Sequence, residues 1–299
     1  MKFAVLMSAY GDSPFLKEQL ESILSSANGM AKIFIRCDGT PPPDCLTEFS
    51  DQLVSVVETQ PNLGTAKSFM RLISLVPAEF DVVAFADQDD VWDKAKISRI
   101  SDVLAASGQE SAILYLGGHI VVDSALNTIR LGDLAVNVCL LNALIENQVP
   151  GCCMAMNRAL HRIAAVSQPQ SLLMHDWWLY LLASGIGEVI NDTTSRYTLY
   201  RQHGRNQIGS QTKSIGNALS RVGKKFSDRN FHRISEQAAE LLTFYSAQIN
   251  AENKKTIVGF LKARTSTVAR LKWLVSGGSR RHGSGGGVVW HLQFLFGLY

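Results

Sequence analysis

The sequence has no long apolar run, few cysteines and no recognisable cleavage site. A membrane-spanning helix needs roughly 18 consecutive apolar residues, and no window of the chain supplies them. The five cysteines are odd in number and form no C-x-x-C pair, so neither a disulfide framework nor a zinc site is indicated. The apolar amino terminus, 1–7, runs directly into polar sequence, which predicts a first strand and a cytosolic protein.

Composition places the 299-residue chain among ordinary globular proteins. Hydrophobic residues make up 46% and charged residues 18%, which is too apolar for a disordered chain. The length predicts one large domain, or one domain with an appendage.

The first half of the chain alternates β-rich runs with helical stretches, a rhythm typical of an α/β sheet with crossover helices. The predicted strands are 3–9, 32–37, 54–58 and 82–86, and the predicted helices are 14–26 and 65–75. Further on, strands at 113–116, 119–122 and 152–156 and a helix at 172–183 predict an α+β extension of the same domain.

Polar residues follow each of the first four predicted strands. In open α/β sheets, ligands bind at this carboxyl edge. The pattern therefore predicts one ligand site formed by Ser8, Tyr10, Asp38, Gly39, Asn62, Gly64 and the Asp87 to Asp90 cluster.

The acidic cluster crowds three carboxylates, Asp87, Asp89 and Asp90, at the end of a strand. Like charges this close favour a hard cation such as Mg²⁺ or Mn²⁺, completed by substrate phosphates. A solvated acidic turn that caps a helix beginning near Trp92 is the simpler alternative. A second alternative is a haloacid-dehalogenase-like phosphohydrolase, because 87–91 also fits D-x-D-x-V with Asp87 as nucleophile and Asp89 as acid/base.

An ordered set of motifs decides between these alternatives. The segments are MSAYG (7–11), CDGT (37–40), NLG (62–64), FADQDDVW (85–92) and HDWW (175–178). Their order and spacing resemble family 2 glycosyltransferases with the GT-A fold, over roughly residues 3 to 210, and in particular the bacterial rhamnosyltransferase-like branch.

The resemblance implies a role for each matching residue. Tyr10 matches the residue that borders the nucleotide base, and Asp38 matches the carboxylate that binds the pyrimidine. The predicted donor site therefore consists of Ser8, Tyr10, Asp38, Asn62, Gly64, Asp87, Asp89 and Arg201. Asp89, Asp90 and His203 are the predicted ligands of Mn²⁺ or Mg²⁺, and Arg201 is the predicted phosphate contact.

Asp176 matches the general base of the family, which takes the proton of the acceptor hydroxyl in an inverting transfer. Its predicted position is the N-cap of a helix before Trp177. His175 stands where many relatives have an acid, so it is expected to orient Asp176 or to contact the acceptor.

The resemblance also implies the reactants. The favoured donor is dTDP-rhamnose, with a UDP-sugar as the wider alternative. The expected acceptor is a cell-surface polysaccharide or a lipid-linked oligosaccharide. A non-catalytic sugar-nucleotide-binding protein is a further alternative, although intact Asp176 and an intact acidic cluster argue against it.

The chain divides by composition at about residue 210. Residues 1–210 form the predicted catalytic domain, and 211–299 form a predicted helical extension in which Lys and Arg outnumber Asp and Glu. Its basic and apolar residues predict either a helix that lies on the cytoplasmic membrane surface or one that packs on the catalytic domain; they include Lys224, Lys225, Lys254, Lys255, Ile257, Phe260, Val268, Leu271 and Lys272. No nucleic-acid recognition motif is present.

Overall fold

The structure is a computed structural model that describes residues 1–108, 110–194, 196–203, 228–263, 265–275 and 294–295. Its strands are β1 (Phe3–Ala9), β2 (Ala31–Cys37), β3 (Val54–Glu58), β4 (Val82–Ala86), β5 (Val91–Trp92), β6 (Ile113–Leu116), β7 (His119–Val122), β8 (Thr128–Leu131), β9 (Met154–Asn157), β10 (Glu188–Asn191) and β11 (Thr198–Arg201). Its α-helices are α1 (Leu16–Ala27), α2 (Thr65–Leu75), α3 (Lys96–Ala105), α4 (Leu140–Ala143), α5 (Arg158–Ala165), α6 (His175–Ile186), α7 (Asp228–Phe244), α8 (Ala251–Ala263) and α9 (Thr267–Val275).

Seven strands form the main sheet in the order β10-β6-β9-β4-β1-β2-β3. β4, β1, β2 and β3 are parallel neighbours, and β9 runs antiparallel between β4 and β6. A smaller sheet has the order β5-β11-β7-β8. The predicted α/β class is confirmed.

Helices cover both faces of the main sheet, which explains why its central strands are apolar throughout. Side chains alternate between the faces of β1: Leu6 packs in the core with α2 and α6, whereas Val5 packs with α1 and α3. On α1, buried Leu16, Leu20 and Ile23 lie four and three residues apart and so face the sheet together.

Three sequence predictions need correction. The predicted strand 152–156 begins at Met154, because Gly151–Cys153 form a 3₁₀ turn after Pro150. The predicted helix 172–183 begins at His175. No helix begins near Trp92, which lies in β5 and pairs with β11, and α3 starts four residues later.

The carboxyl-terminal helices share a hydrophobic core with the main sheet and its helices. Ile234 and Leu241 of α7 and Phe260 of α8 are buried in the same core as α2 and α6. A Cβ added at Gly185 of α6 would lie 2.9 Å from Leu241, so the small glycine permits close contact between α6 and α7. The predicted boundary near 210, and with it Lys224 and Lys225, lies outside the described residues. Among the described residues, no helix combines the length and the apolarity of a membrane span.

Candidate active site

The carboxyl ends of β4, β1, β2 and β3 meet at one edge of the sheet because these strands are parallel neighbours. The residues that follow them therefore share that edge, as the sequence predicts. β11 adds Arg201 and His203 to it, since both contact Asp89.

Asp38 is held by a buried arginine. Arg36 is fully buried, and its Nη1 donates to Asp38 Oδ1. The backbone N–H of Leu63 donates to the same oxygen over 2.7 Å, and Asn62 Nδ2 donates to the Asp38 carbonyl over 3.0 Å. The carboxylate is thus fixed from two sides.

Ser8 and Gly64 belong to the same network. The hydroxyls of Ser8 and Ser68 lie 2.6 Å apart, and Arg36 Nη1 donates to Ser68 Oγ over 3.1 Å. Gly64 precedes α2 with a φ of 74°, a conformation that favours glycine, and its N–H donates to Asn62 Oδ1. Ser8 and Gly64 therefore belong to the hydrogen-bond network that holds Arg36, Asn62 and Asp38 in place.

Tyr10 presents an exposed ring on a restrained backbone. The side chain is 60% exposed. The Tyr10 N–H donates to Gln88 Oε1 over 2.9 Å, and Gln88 Nε2 donates to the Tyr10 carbonyl over 3.3 Å. Gln88, which the sequence left without a role, therefore joins the loop after β1 to the acidic loop.

A polar stripe on α1 holds the backbone of the acidic loop and of the residues after it. Gln19 Nε2 donates to the Asp87 carbonyl over 2.9 Å, and the Trp92 N–H donates to Ser22 Oγ over 2.9 Å. Ser26 Oγ accepts from the Ile97 N–H over 3.2 Å. Because positions 19, 22 and 26 share one helix face, a single helix satisfies backbone groups along this segment.

Two predicted metal ligands meet across the site. His203 Nε2 lies 2.7 Å from Asp89 Oδ2, and both side chains are partly exposed. The His203 ring packs against Phe15, with centroids 5.2 Å apart. A carboxylate and an imidazole that converge in this way form a suitable partial ligand set for a divalent cation.

Arg201 is buried rather than open to the site. Its exposure is 2%, and its guanidinium donates to the Asp89 carbonyl, the Ser124 carbonyl and the Glu18 carboxylate. It also lies 4.2 Å over the Phe15 ring. Because the guanidinium is buried and bonded to the acidic loop, this arrangement suits holding that loop in place.

Asp90 is the buried member of the cluster, and Asp87 is half-buried beside it. Asp90 Oδ1 accepts the Arg201 N–H over 3.1 Å, whereas Oδ2 is buried without a hydrogen bond from the described residues. Burial, with the charges of Asp89 and Asp176, raises the pKa of Asp87 to about 7. Burial and the same kind of crowding raise the pKa of Asp90 well above its usual range. This crowding and the unpartnered oxygen fit a bound cation.

Asp176 lies in the first turn of α6 and is nearly fully buried. The N-cap is Met174, which corrects the prediction that Asp176 caps the helix. Asp176 Oδ1 accepts the Trp177 N–H over 2.7 Å. Burial raises the pKa of Asp176 to about 6, although a hydrogen bond from the Asn147 side chain works in the opposite direction.

His175 does not orient Asp176. Its ring stacks on Phe69 with centroids 4.1 Å apart, and neither ring nitrogen has a hydrogen-bond partner among the described residues. Burial lowers its pKa to about 3, so the ring is neutral. A Cβ at Gly151 would lie 2.5 Å from Nε2, which shows that His175 packs tightly behind the site.

The residues that the sequence missed are those that position the predicted ones. They are Phe15, Glu18, Gln19, Arg36, Gln88 and Asn147. The sequence contains only a weak signal for these positioning residues. Arg36 lies two positions before Asp38, so an extended chain would place both side chains on the same side.

Comparisons with known proteins agree with this architecture. The chain is 26% identical over 249 residues to the dTDP-rhamnosyl transferase RfbG of Shigella flexneri, covering 78% of this chain and 85% of the relative. It is 31% identical over 111 residues to an uncharacterized glycosyltransferase of Nostoc sp., covering 36% of this chain and 34% of the relative. No model of a known protein family matches the chain.

A solved structure shares the fold. The crystal structure of S. aureus TarS 1–349 in complex with UDP superimposes with a TM-score of 0.58 at 14% sequence identity, covering 100% of this chain and 81% of that chain. At this identity the likeness establishes the fold.

Proposed function

We propose that this glycosyltransferase, whose fold is the GT-A fold that its sequence resembles, is a metal-dependent inverting enzyme of family 2. Its proposed donor is dTDP-rhamnose and its proposed acceptor is a cell-surface polysaccharide or a lipid-linked oligosaccharide. The observation that carries the proposal is the meeting of Asp38, the acidic loop and Asp176 at one sheet edge. The similarity to a dTDP-rhamnosyl transferase over 78% of the chain supports the choice of donor.

The proposed donor site uses Tyr10 as a stacking surface for the base and Asp38 as the acceptor of the N3–H of the pyrimidine. An exposed aromatic ring on a fixed backbone suits stacking. Because Arg36 and the Leu63 N–H both bond Oδ1 of Asp38, Oδ2 is the oxygen proposed to receive the base. Ser8, Asn62, Gly64, Asp87 and Asp89 complete the proposed donor site.

Asp89, Asp90 and His203 are the proposed holders of the cation. Bound there, Mn²⁺ or Mg²⁺ would neutralise the charge that develops on the leaving diphosphate. The chain's own residues prepare this position: Arg201 fixes the carbonyl of Asp89 and the carboxylate of Asp90, and Phe15 supports His203.

Asp176 is the proposed base. Its carboxylate takes the proton of the acceptor hydroxyl while that oxygen bonds to the anomeric carbon. The bond from this carbon to the diphosphate oxygen breaks, and the nucleoside diphosphate leaves with the electron pair. A pKa raised to about 6 makes Asp176 a stronger base than an ordinary carboxylate while leaving it ionised at neutral pH.

A membrane surface is the proposed partner of α9. Val268, Leu271 and Val275 are 63%, 51% and 80% exposed and lie three and four residues apart, on one face of the helix. Lys272 is also exposed. By contrast, Ile257 and Phe260 of α8, which the sequence placed in the same apolar set, are buried in the core. We therefore confine the proposed docking to α9, on the cytoplasmic side of the membrane; no nucleic-acid partner is proposed.

A donor panel tests the proposal. The purified chain is incubated with Mn²⁺, an oligosaccharide or lipid-linked acceptor, and in turn dTDP-rhamnose, dTDP-glucose, UDP-glucose and UDP-N-acetylglucosamine. Release of nucleoside diphosphate that requires both acceptor and dTDP-rhamnose is expected. Phosphate release from simple phosphomonoesters, with a phosphorylated Asp87 detected by mass spectrometry, would support the phosphohydrolase instead.

A further inference from the structure

A sulfur atom lies beside two carboxylates of the acidic loop, the buried Asp90 and the half-buried Asp87. One carboxylate oxygen each of Asp87 and Asp90 and Sγ of Cys152 all lie within 4.8 Å of one another. Asp90 is 0% exposed and Cys152 is 1% exposed. The three atoms come from separate parts of the chain, the loop after β4 and the 3₁₀ turn before β9.

The same cluster contains a buried oxygen atom without a hydrogen-bond partner among the described residues. Asp90 Oδ2 is buried and accepts no hydrogen bond from the described residues, although Oδ1 of the same carboxylate accepts the Arg201 N–H. A buried carboxylate oxygen without a donor is costly, and such atoms are rare in folded proteins. A cation would supply the missing partner.

The backbone of Cys152 is anchored, which gives its thiol a defined position. Lys96 Nζ donates to the Cys152 carbonyl and to Thr198 Oγ1, both over 2.7 Å. The same ammonium lies 3.8 Å over the ring of Trp92. The turn that carries the thiol is therefore tied to α3 and to β11.

We infer that Cys152 is a sulfur ligand of the divalent cation, which binds with Asp87 and Asp90 and displaces the thiol proton to solvent. This assignment rests on the proposed metal site. It keeps Asp90 as a ligand and adds Asp87 and the buried sulfur, while Asp89 and His203 remain on the more exposed side of the cation. Thiolate ligands favour softer ions. The site therefore takes Cd²⁺ and Co²⁺ in preference to Mg²⁺.

Absorption spectroscopy of the full chain with Cd²⁺, without nucleotide, tests this directly. Sulfur-to-cadmium charge transfer gives an ultraviolet band that oxygen ligands do not give. All proteins carry Cys45→Ser and Cys139→Ser, because these two thiols are partly exposed and would bind Cd²⁺ on their own. The band is measured in this background protein and in the same background with Cys152→Ser or Cys153→Ser. Cys153 is the adjacent buried thiol, so Cys153→Ser serves as the matched control.

The background and Cys153→Ser proteins are expected to show the band at one Cd²⁺ per chain, and Cys152→Ser is expected to lose it. Cd²⁺ affinity should fall by about tenfold or more in Cys152→Ser, on the scale of lost metal-site interactions, with a smaller change for Mg²⁺. Asp90→Asn, which keeps both cysteines, should also weaken the band. Far-ultraviolet circular dichroism checks that each variant is folded.

A band of equal intensity in Cys152→Ser, or Cd²⁺ bound by the background protein without a band, would overturn the inference. Equal loss of the band in Cys153→Ser and Cys152→Ser would do the same. Sugar transfer is measured separately on the unsubstituted chain. Sugar transfer without the charge-transfer band would contradict the sulfur ligand alone. The band without sugar transfer would contradict the proposed function alone.

Discussion

The carboxylate of Asp89 lies 2.7 Å from the imidazole of His203, although 114 positions separate the two residues in the chain. One belongs to the loop after β4 and the other follows β11. Their contact places the small sheet beside the carboxyl edge of the parallel strands of the large one, since β11 lies in the sheet of β5, β7 and β8.

This pair predicts coupled effects on metal-dependent nucleotide binding. Asp89→Asn and His203→Gln should each weaken the binding of dTDP in the presence of Mn²⁺, measured by calorimetry, and the loss in His203→Gln should disappear when Mn²⁺ is left out. The double variant should lose less than the sum of the two, because residues in contact commonly couple by about 0.5–3 kcal/mol. Strictly additive losses would indicate that the residues act separately.

Replacing the proposed base should affect turnover and not binding. Asp176→Asn is expected to lower kcat by about two to four decades, the span of general base catalysis, while the Kd of the donor stays within error. Single-turnover kinetics and calorimetry on the same preparation measure the two quantities. Near-normal kcat in this variant would remove Asp176 from the mechanism.

The raised pKa of Asp176 predicts the acid limb of the pH profile. The base works only when ionised, so kcat should fall as pH decreases through about 6. An ordinary carboxylate would give this limb near its usual value of 3.8. A rate that is flat from pH 8 to pH 5 would contradict the assignment.

The raised pKa of Asp176 also predicts that its ionised carboxylate lowers the free energy of unfolding. Because the folded pKa lies above the unfolded value, the folded state binds more protons between the two, and stability falls as pH rises through about 6. Asp176→Asn should therefore increase the free energy of unfolding at pH 8 by about 1–3 kcal/mol. Urea denaturation at pH 8 and pH 4 measures this, and the gain should shrink at pH 4. A gain of equal size at both pH values would point to a cause other than charge burial.

Tyr10 should contribute to donor affinity through its ring alone. Tyr10→Ala is expected to weaken donor binding by about 1–3 kcal/mol, the usual value of base stacking, whereas Tyr10→Phe should have little effect. Donor KM and Kd are measured for both variants. Equal losses in the two would mean that the hydroxyl, and not the ring face, makes the contact.

Substitutions can distinguish membrane docking by α9 from non-specific binding by other exposed apolar side chains. The triple variant Val268→Ser, Leu271→Ser and Val275→Ser should lose co-sedimentation with anionic vesicles at low salt. Val166→Ser removes a valine that is 76% exposed elsewhere on the surface and serves as control. Binding by the unsubstituted chain should fall at high salt because basic residues near an anionic surface contribute about 1 kcal/mol each. Equal sedimentation of the triple variant would leave α9 as a packing element.

The strands and the polar residues at their carboxyl ends could be predicted because apolar runs followed abruptly by polar residues are local signals. β1, β3 and β4 begin and end where the sequence predicts. The partners of buried polar groups could not be predicted. Nothing near Arg201 in the sequence indicates Glu18 or Phe15, because these contacts depend on how separate elements pack.

His175 shows a further limit of motif reasoning. Its place beside Asp176 suggested shared chemistry, but successive residues of a helix point in different directions. The ring consequently stacks on Phe69 while the carboxylate of Asp176 turns to Trp177 and Asn147. Neighbouring positions in the sequence indicate a shared site in loops after parallel strands, but they do not do so within a helix.

The bond between Glu18 and Arg201 spans 183 positions of the chain. During synthesis, which proceeds from the amino terminus, Tyr10, Asp38 and the acidic loop all leave the ribosome well before β11 does. A nascent chain that ends before β11 would thus carry the residues of the proposed base-binding site without Arg201 or His203. The contacts of Asp89 and Asp90 with Arg201 and His203, on which the proposed cation site depends, therefore form late, when β11 pairs with β5 and β7.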